Sequence, residues 1–349
     1  ITERVGAQDG SVNHFARNDF RVFRALFHYD FSAVEGDLNL DCFTTLSHYK
    51  AIAKHGRRYN QNVSEKVRDL SRRLAAAPDD ETFFRLVTEH YRQYGVGMLG
   101  LNKAFRIQSG PEGIGFIPIY NTDKVMLRDL VGYESQKAQL RHNTEAFLAG
   151  RSANNALLYG DAGTGKSSSV KAIANEFAAD GLRLVEVKKN QLYQIPDLMD
   201  KLAANPLKFI LFIDDLSFTA NDDNFAALKA ILEGSVGGRA RNIAVYATSN
   251  RRHLIKETLS DRTGDDIHEA DTRQELMSRS ARFGLTVTFQ RPEKARFEVI
   301  LTELAKQHGI EMPHDELLTK AEAFAIRAGG RSPRVAKQFI EQCAAGVQK

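Results

Sequence analysis

The sequence predicts an α/β protein: a parallel sheet covered by helices on both faces, preceded by an all-helical region and followed by three closing helices. Three observations carry this prediction. From about residue 126, short β-rich runs alternate with helical ones, as parallel strands and their crossovers do. One run, KFILFIDD (208–215), holds five consecutive apolar residues between Lys208 and Asp214, as a central strand buried on both faces requires. Another, LLYGDAGTGKS (157–167), carries an apolar strand into a glycine-rich turn that launches a helix.

The elements follow in chain order. Residues 12–104 read as helical throughout. Phe20, Phe23 and Phe27 repeat at i, i+3 and i+7, and Val22, Leu26 and Phe31 widen the stripe. Further helices are expected near 38–55, 62–76 and 80–96, the last started by Pro78-Asp79-Asp80. The many Phe and Tyr side chains read as a packed helical core, with a base-stacking surface as the alternative. Residues 105–125 collect Gly110, Pro111, Gly113, Gly115 and Pro118, a linker composition. Five strands are then expected: NALLYG, LRLVEV, KFILFIDD, NIAVYATSN and GLTVTF, the first four each followed by a helix. Three helices near 292–308, 315–328 and 333–347 close the chain. Ser332 is a good N-cap for the last and Pro333 a good first helical residue. The resulting division is a helical domain over 1–104, a linker over 105–125, the α/β domain over 126–290 and a helical lid over 291–349.

Composition narrows the function classes. With 48 basic and 44 acidic residues, a net charge of +4 over 349 residues is no nucleic-acid signature by itself. No apolar run approaches the roughly 18 residues needed to span a bilayer, so no membrane partner is expected. Cys42 and Cys343 form no metal-ligand spacing; reduced thiols and a cytoplasmic location are the expectation.

Gly160-Asp161-Ala162-Gly163-Thr164-Gly165-Lys166-Ser167 fits G-x-x-x-x-G-K-[ST], and Ser168 continues it into the helix. Such a loop wraps a phosphate with inward-pointing N–H groups, and glycine permits the backbone angles and the close approach. The helix beginning at Lys166 adds its positive end. Lys166 is placed to neutralise β/γ-phosphates and Ser167 to offer a hydroxyl to Mg²⁺. A ligand-free glycine turn would leave the Lys-Ser at its end unexplained.

KFILFIDD ends in two carboxylates at the sheet edge where α/β folds bind ligands. Asp214 is the candidate Mg²⁺ ligand and Asp215 the candidate to orient or deprotonate the attacking water. Asn250, at the end of the next strand, offers a neutral hydrogen bond to the γ-phosphate or the water. Arg279 and Arg282 precede the last strand. Arg331 and Arg334 stand at the start of the final helix, where a cation is locally unfavourable; the mismatch implies an anionic partner for Arg334.

Together these pieces resemble the AAA+ ATPase superfamily over about residues 126–349. More closely, the stretches NTEAFLAG, ANNALLYGDAGTGKSS, KFILFIDDLSF, YATSNRRHL and GGRSPRVAKQF resemble an uncharacterised bacterial AAA+ family of predicted ATPases of unknown function. The resemblance implies a P-loop NTPase core with a C-terminal helical lid and an all-α N-terminal domain. It also implies roles. Val131, Gly132 and Tyr133 line the adenine site; Lys166 and Ser167 belong to Walker A, and Asp214 and Asp215 to Walker B. Asn250 is sensor 1. Arg282 is the arginine finger reaching into a neighbouring subunit, with Arg279 its rival, and Arg334 is sensor 2, with Arg331 its rival. Two departures stand out. The superfamily usually has Glu where this chain has Asp215, one methylene shorter, so slow hydrolysis is expected. Ala281 stands where the closer family tends to place Asp.

The function expected from this is Mg-ATP binding and hydrolysis in a homo-oligomer that remodels or loads an unknown protein partner, with ATP or ADP as the bound nucleotide. A nucleotide-dependent switch or scaffold is the first alternative. A DNA-associated ATPase is the second, on the strength of Arg57-Arg58, Arg72-Arg73 and Arg251-Arg252. A threading motor is disfavoured, because Tyr193 in KKNQLYQIPDL lacks a following glycine.

Overall fold

Strand propensity and burial meet at KFILFI. Its apolar side chains project from both faces of the sheet, so only an interior position flanked by strands and covered by helices removes them all from water. The computed structural model describes residues 11–41, 61–111, 113–120, 124–203, 205–216, 228, 232, 241–250 and 283–346. In it the chain divides between Leu101 and Asn102 into two compact units.

The first unit is helical: α1 (Ser11–Phe27), α2 (Ser32–Leu38), α3 (Gln61–Ala75), α4 (Asp80–Tyr94) and α5 (Gly97–Leu101). Asp79 caps α4, its Oδ1 accepting the Thr82 N–H at 2.7 Å. Phe83, Val87, Leu74 and Ala77 form a small core against which Phe20 packs. Phe23 and Phe27, expected inside that core, are 51% and 45% exposed. Most of the helix expected near 38–55 lies outside the described residues. Where they reach it, α2 has already ended at Asn39, which takes the left-handed conformation at φ 51°.

The second unit carries a seven-stranded sheet: β1 (Ala104–Gly110), β2 (Gly113–Pro118), β3 (Ala156–Gly160), β4 (Leu182–Glu186), β5 (Lys208–Ile213), β6 (Ile243–Ser249) and β7 (Leu285–Phe289). Their spatial order is β2-β1-β4-β5-β6-β3-β7. All neighbours are parallel except the antiparallel β1–β2 hairpin. The helices α6 (Glu134–Leu148), α7 (Lys166–Glu176) and α8 (Ile195–Ala203) fall between strands. Among the described residues no helix is long and apolar enough to cross a membrane.

Residues 105–125 are not the linker that their composition suggests. Residues 104–110 and 113–118 form the β1–β2 hairpin, whose first strand pairs with β4 from Ala104↔Leu184 to Arg106↔Glu186. The glycines and prolines have local uses. Gly113, at φ 94°, closes the hairpin, and Pro118 ends an edge strand where no ladder N–H is missed. Phe105 and Ile107 are buried.

Beyond β7 come α9 (Lys294–Gln307), α10 (His314–Arg327) and α11 (Pro333–Ala344), packed around a core that includes Ile300, Leu301, Ala321, Ala336 and Phe339. Ser332 caps α11 by accepting the Val335 N–H at 3.2 Å, with Pro333 first in the helix.

Candidate nucleotide site

The glycine-rich turn lies between the end of β3 and the start of α7. Gly160, at φ 136°, is fixed by a close approach: a Cβ there would run into the carbonyl of Phe289 at the end of β7. Gly163 and Gly165 also have positive φ, at 76° and 95°. Lys166 is 6% exposed, and its Nζ folds back to donate to the carbonyls of Gly160 at 2.9 Å and Asp161 at 2.6 Å. Burial lowers its pKa and Arg334 repels it; Asp161, Asp215 and Asp214 oppose the shift. The Thr164 hydroxyl donates to the Asp161 carbonyl at 2.8 Å and pins the turn.

The acid pair follows β5. Asp214 Oδ1 accepts the Ser167 hydroxyl at 2.6 Å and the Thr248 hydroxyl at 2.6 Å. A carboxylate and a hydroxyl adjacent at the mouth of a phosphate loop form a donor set that fits Mg²⁺, a hard cation that keeps several waters and takes its other oxygens from phosphate. Asp215 has φ 54°, an uncommon conformation for a residue other than glycine. Its N–H donates to Thr248 Oγ1 at 2.9 Å, and its Oδ1 accepts from Asn250 Nδ2 at 2.7 Å. Thr248 thus binds both aspartates through one oxygen. The sequence contained it in Ala247-Thr248-Ser249-Asn250, where Asn250 drew the functional reading.

A cavity of about 240 Å³ opens beside the loop, lined by Val131, Gly132, Tyr133, Thr164 and Gly165 on one side and by Ile300, Leu304, Pro333 and Lys337 of the lid on the other. Gly132 has φ 83°, and a Cβ there would press on Ile300 at 3.2 Å. Tyr133 is left-handed at φ 59° and caps no hydrogen bond with its side chain; its hydroxyl donates instead to the Gln290 carbonyl at 2.6 Å. Its ring lies 5.2 Å from that of Phe289. Burial pushes the phenol up to about 12. Lys137 supports this loop from below, donating to the carbonyl of Leu130 at 2.5 Å and to Glu134 at 2.7 Å.

The structure separates the two lid arginines. Arg331 makes a two-pronged contact with Glu322, at 3.0 and 2.5 Å, which raises its own pKa and lowers that of Glu322. Arg334 instead meets the phosphate loop, its N–H donating to the Gly163 carbonyl at 3.1 Å while its side chain stays exposed. Ala162 and Ser168 are exposed on the loop and the first turn of α7. Arg279 and Arg282 lie outside the described residues, as do Arg57-Arg58 and Arg251-Arg252. One contact had no sequence signal at all. Asp161 Oδ2 accepts the Arg291 N–H at 2.9 Å, across 130 residues of chain.

Fold and site together define a class: a P-loop α/β protein with a parallel-sheet core, the glycine-rich loop at its edge and a helical lid after the last strand. Residues 101–347 match the family described as "Protein of unknown function (DUF815)", and the chain belongs to that family. It is also similar to the replication factor C large subunit of Staphylothermus marinus, 35% identical over 135 residues, which are 35% of this chain and 30% of that relative. Among solved structures it is similar to a RuvB variant of Thermotoga maritima at 18% identity and a TM-score of 0.43. The RuvB Holliday junction branch migration motor of the same organism matches at 17% and 0.42. Each RuvB match covers 63% of this chain and 64% of the other.

Proposed function

We propose that this protein is an ATPase that binds Mg-ATP between the phosphate loop and the lid and assembles through its nucleotide sites to act on a protein partner. One observation supports the reading: Lys166, the Ser167–Asp214 pair and the Arg334 end of the lid all meet the glycine-rich turn over residues 160–167. That is three sources of positive potential or cation ligation around a loop of main-chain amides, an arrangement suited to a polyphosphate.

The reaction is transfer of the γ-phosphoryl group from ATP to water, which releases ADP and inorganic phosphate. Loop amides and Lys166 hold the β- and γ-phosphates, with the ammonium leaving its two carbonyl partners to do so. Ser167 and Asp214 would hold Mg²⁺, which would supply charge neutralisation to the phosphate oxygens. Asp215 orients the attacking water and accepts its proton, and Asn250 supports the same water. Val131, Gly132 and Tyr133 receive the adenine, Arg334 meets the γ-phosphate, and Arg282 or Arg279 of a neighbouring subunit completes the site. The short Asp215 side chain, already engaged by Asn250, supports slow turnover, and with it a second reading as a nucleotide-dependent switch.

Calorimetry with Mg-ATP tests the binding step. Lys166→Ala removes a charge-assisted contact worth about 1.5–3 kcal/mol, so affinity falls roughly 10- to 150-fold. Equal heats for the variant and the wild type would overturn the assignment. Steady-state turnover against single-turnover hydrolysis then separates motor from switch. A steep loss of DNA affinity with salt would redirect the partner assignment to nucleic acid.

A further inference from the structure

Two staples join the phosphate loop to the lid. One is the Arg334–Gly163 contact described above. The other runs through Arg291, which does not line the nucleotide cavity. Arg291 stands between the end of β7 and the start of α9, where the chain leaves the sheet for the lid. Its N–H donates to Asp161 Oδ2 at 2.9 Å and its Nε faces Asp161 Oδ1 at 3.7 Å. Its Nη1 donates to the Gly329 carbonyl at 3.0 Å, in the turn between α10 and α11. One guanidinium therefore touches both the second residue of the phosphate loop and the turn that delivers Ser332 and Arg334.

The surroundings are shaped for this bridge. Gly330, at φ 124°, leaves the space the guanidinium needs, since a Cβ there would lie 2.7 Å from Nη1. The Asp161 N–H donates to the Phe289 carbonyl at 3.0 Å, two residues before Arg291, so loop and hinge are already joined by main chain. A planar fork reaches two partners in different directions at once; a lysine ammonium is a single point on a flexible stem.

We propose that Arg291 is a positioning residue that couples the phosphate loop to the lid: when the loop closes on phosphate, Asp161 moves the guanidinium, and the Gly329 turn carries Arg334 with it. This rests on the nucleotide-binding reading above. Mutual coupling of two sites through such a bridge commonly amounts to a factor of about 5–150 in affinity.

The test compares wild type, Arg291→Met, Arg291→Lys, Asp161→Asn and the double variant, each with Mg-ATP and Mg-ADP by calorimetry and with amide exchange across residues 294–344. Arg291→Met is expected to weaken Mg-ATP about 5- to 20-fold and to abolish the protection that nucleotide confers on the lid. Arg291→Lys is expected to recover part of the affinity but not the lid protection. Adding Asp161→Asn to Arg291→Met should cost little further. Affinity within twofold of wild type together with normal lid protection in Arg291→Met overturns the coupling. If wild type itself gives no heat, the ATP reading fails instead, and nucleotide-free exchange decides the bridge. Amides 329–336 should then exchange severalfold faster in Arg291→Met, and an unchanged rate overturns it.

Discussion

Asp215 stands in left-handed backbone space, at φ 54°, where a side chain costs about 1–2 kcal/mol relative to glycine. Its main-chain N–H is held by Thr248 and its carboxylate by Asn250. Strain kept at a strand end beside a phosphate loop is strain in the service of aim. Asp215→Gly should therefore raise stability by about 1 kcal/mol in urea denaturation while eliminating turnover; a destabilised variant would show that the carboxylate's bonds outweigh the strain. Tyr133 gives a second residue-scale test. Its phenol, pushed up to about 12, titrates above the ordinary value of 10. Folding thus favours the protonated form, and this contribution is complete below pH 10 and lost as pH rises from 10 to 12. Stability measured across that window should fall more steeply for wild type than for Tyr133→Phe. Residue roles were unevenly legible. Lys166, Ser167 and the two aspartates sit in contiguous motifs whose chemistry is local. Asp161–Arg291 spans 130 residues, and no periodicity or spacing links two such positions. Arg331 stayed a rival to Arg334 in sequence because Glu322, which occupies Arg331, approaches only when α10 folds back.

At the scale of elements, the lid's last helix begins where the phosphate loop turns. Ser332 caps α11 and, with Arg334, packs against the α-carbon of Gly163: a Cβ there would lie 3.1 Å from Ser332 Oγ and 3.2 Å from Arg334 Cβ. Gly163→Ala meets both this crowding and a positive φ of 76°, so it should cost about 1–2 kcal/mol in thermal unfolding and weaken nucleotide binding as well. Ser332→Ala should cost about 1 kcal/mol through the lost cap. If Gly163→Ala bound nucleotide normally, the lid contact would be incidental to the site. The five strands β3 to β7 were readable because each is a short β-rich run set between helical stretches, a local signal that needs no partner to interpret. The β1–β2 hairpin was not, because its turn and edge use the same glycines and prolines that make linkers, and only the pairing with β4 tells them apart.

For the whole molecule, the proposed arginine finger implies that one chain does not contain a complete reaction centre. Mass measurement with Mg-ATP should show oligomers, and Arg282→Ala should cut turnover by about 10³–10⁵ while leaving ATP binding in place. Full activity in a strictly monomeric sample would refute shared sites.

The hairpin that binds β4 also bears on where the molecule is safely cut. Every residue from Leu182 to Val185 is buried, and without β1 this row would end the sheet with its amides and carbonyls open to any passing strand. A fragment starting at residue 126, the boundary that composition recommends, should precipitate or self-associate through that raw margin, whereas one starting at Asn102 keeps its selvedge and stays in solution.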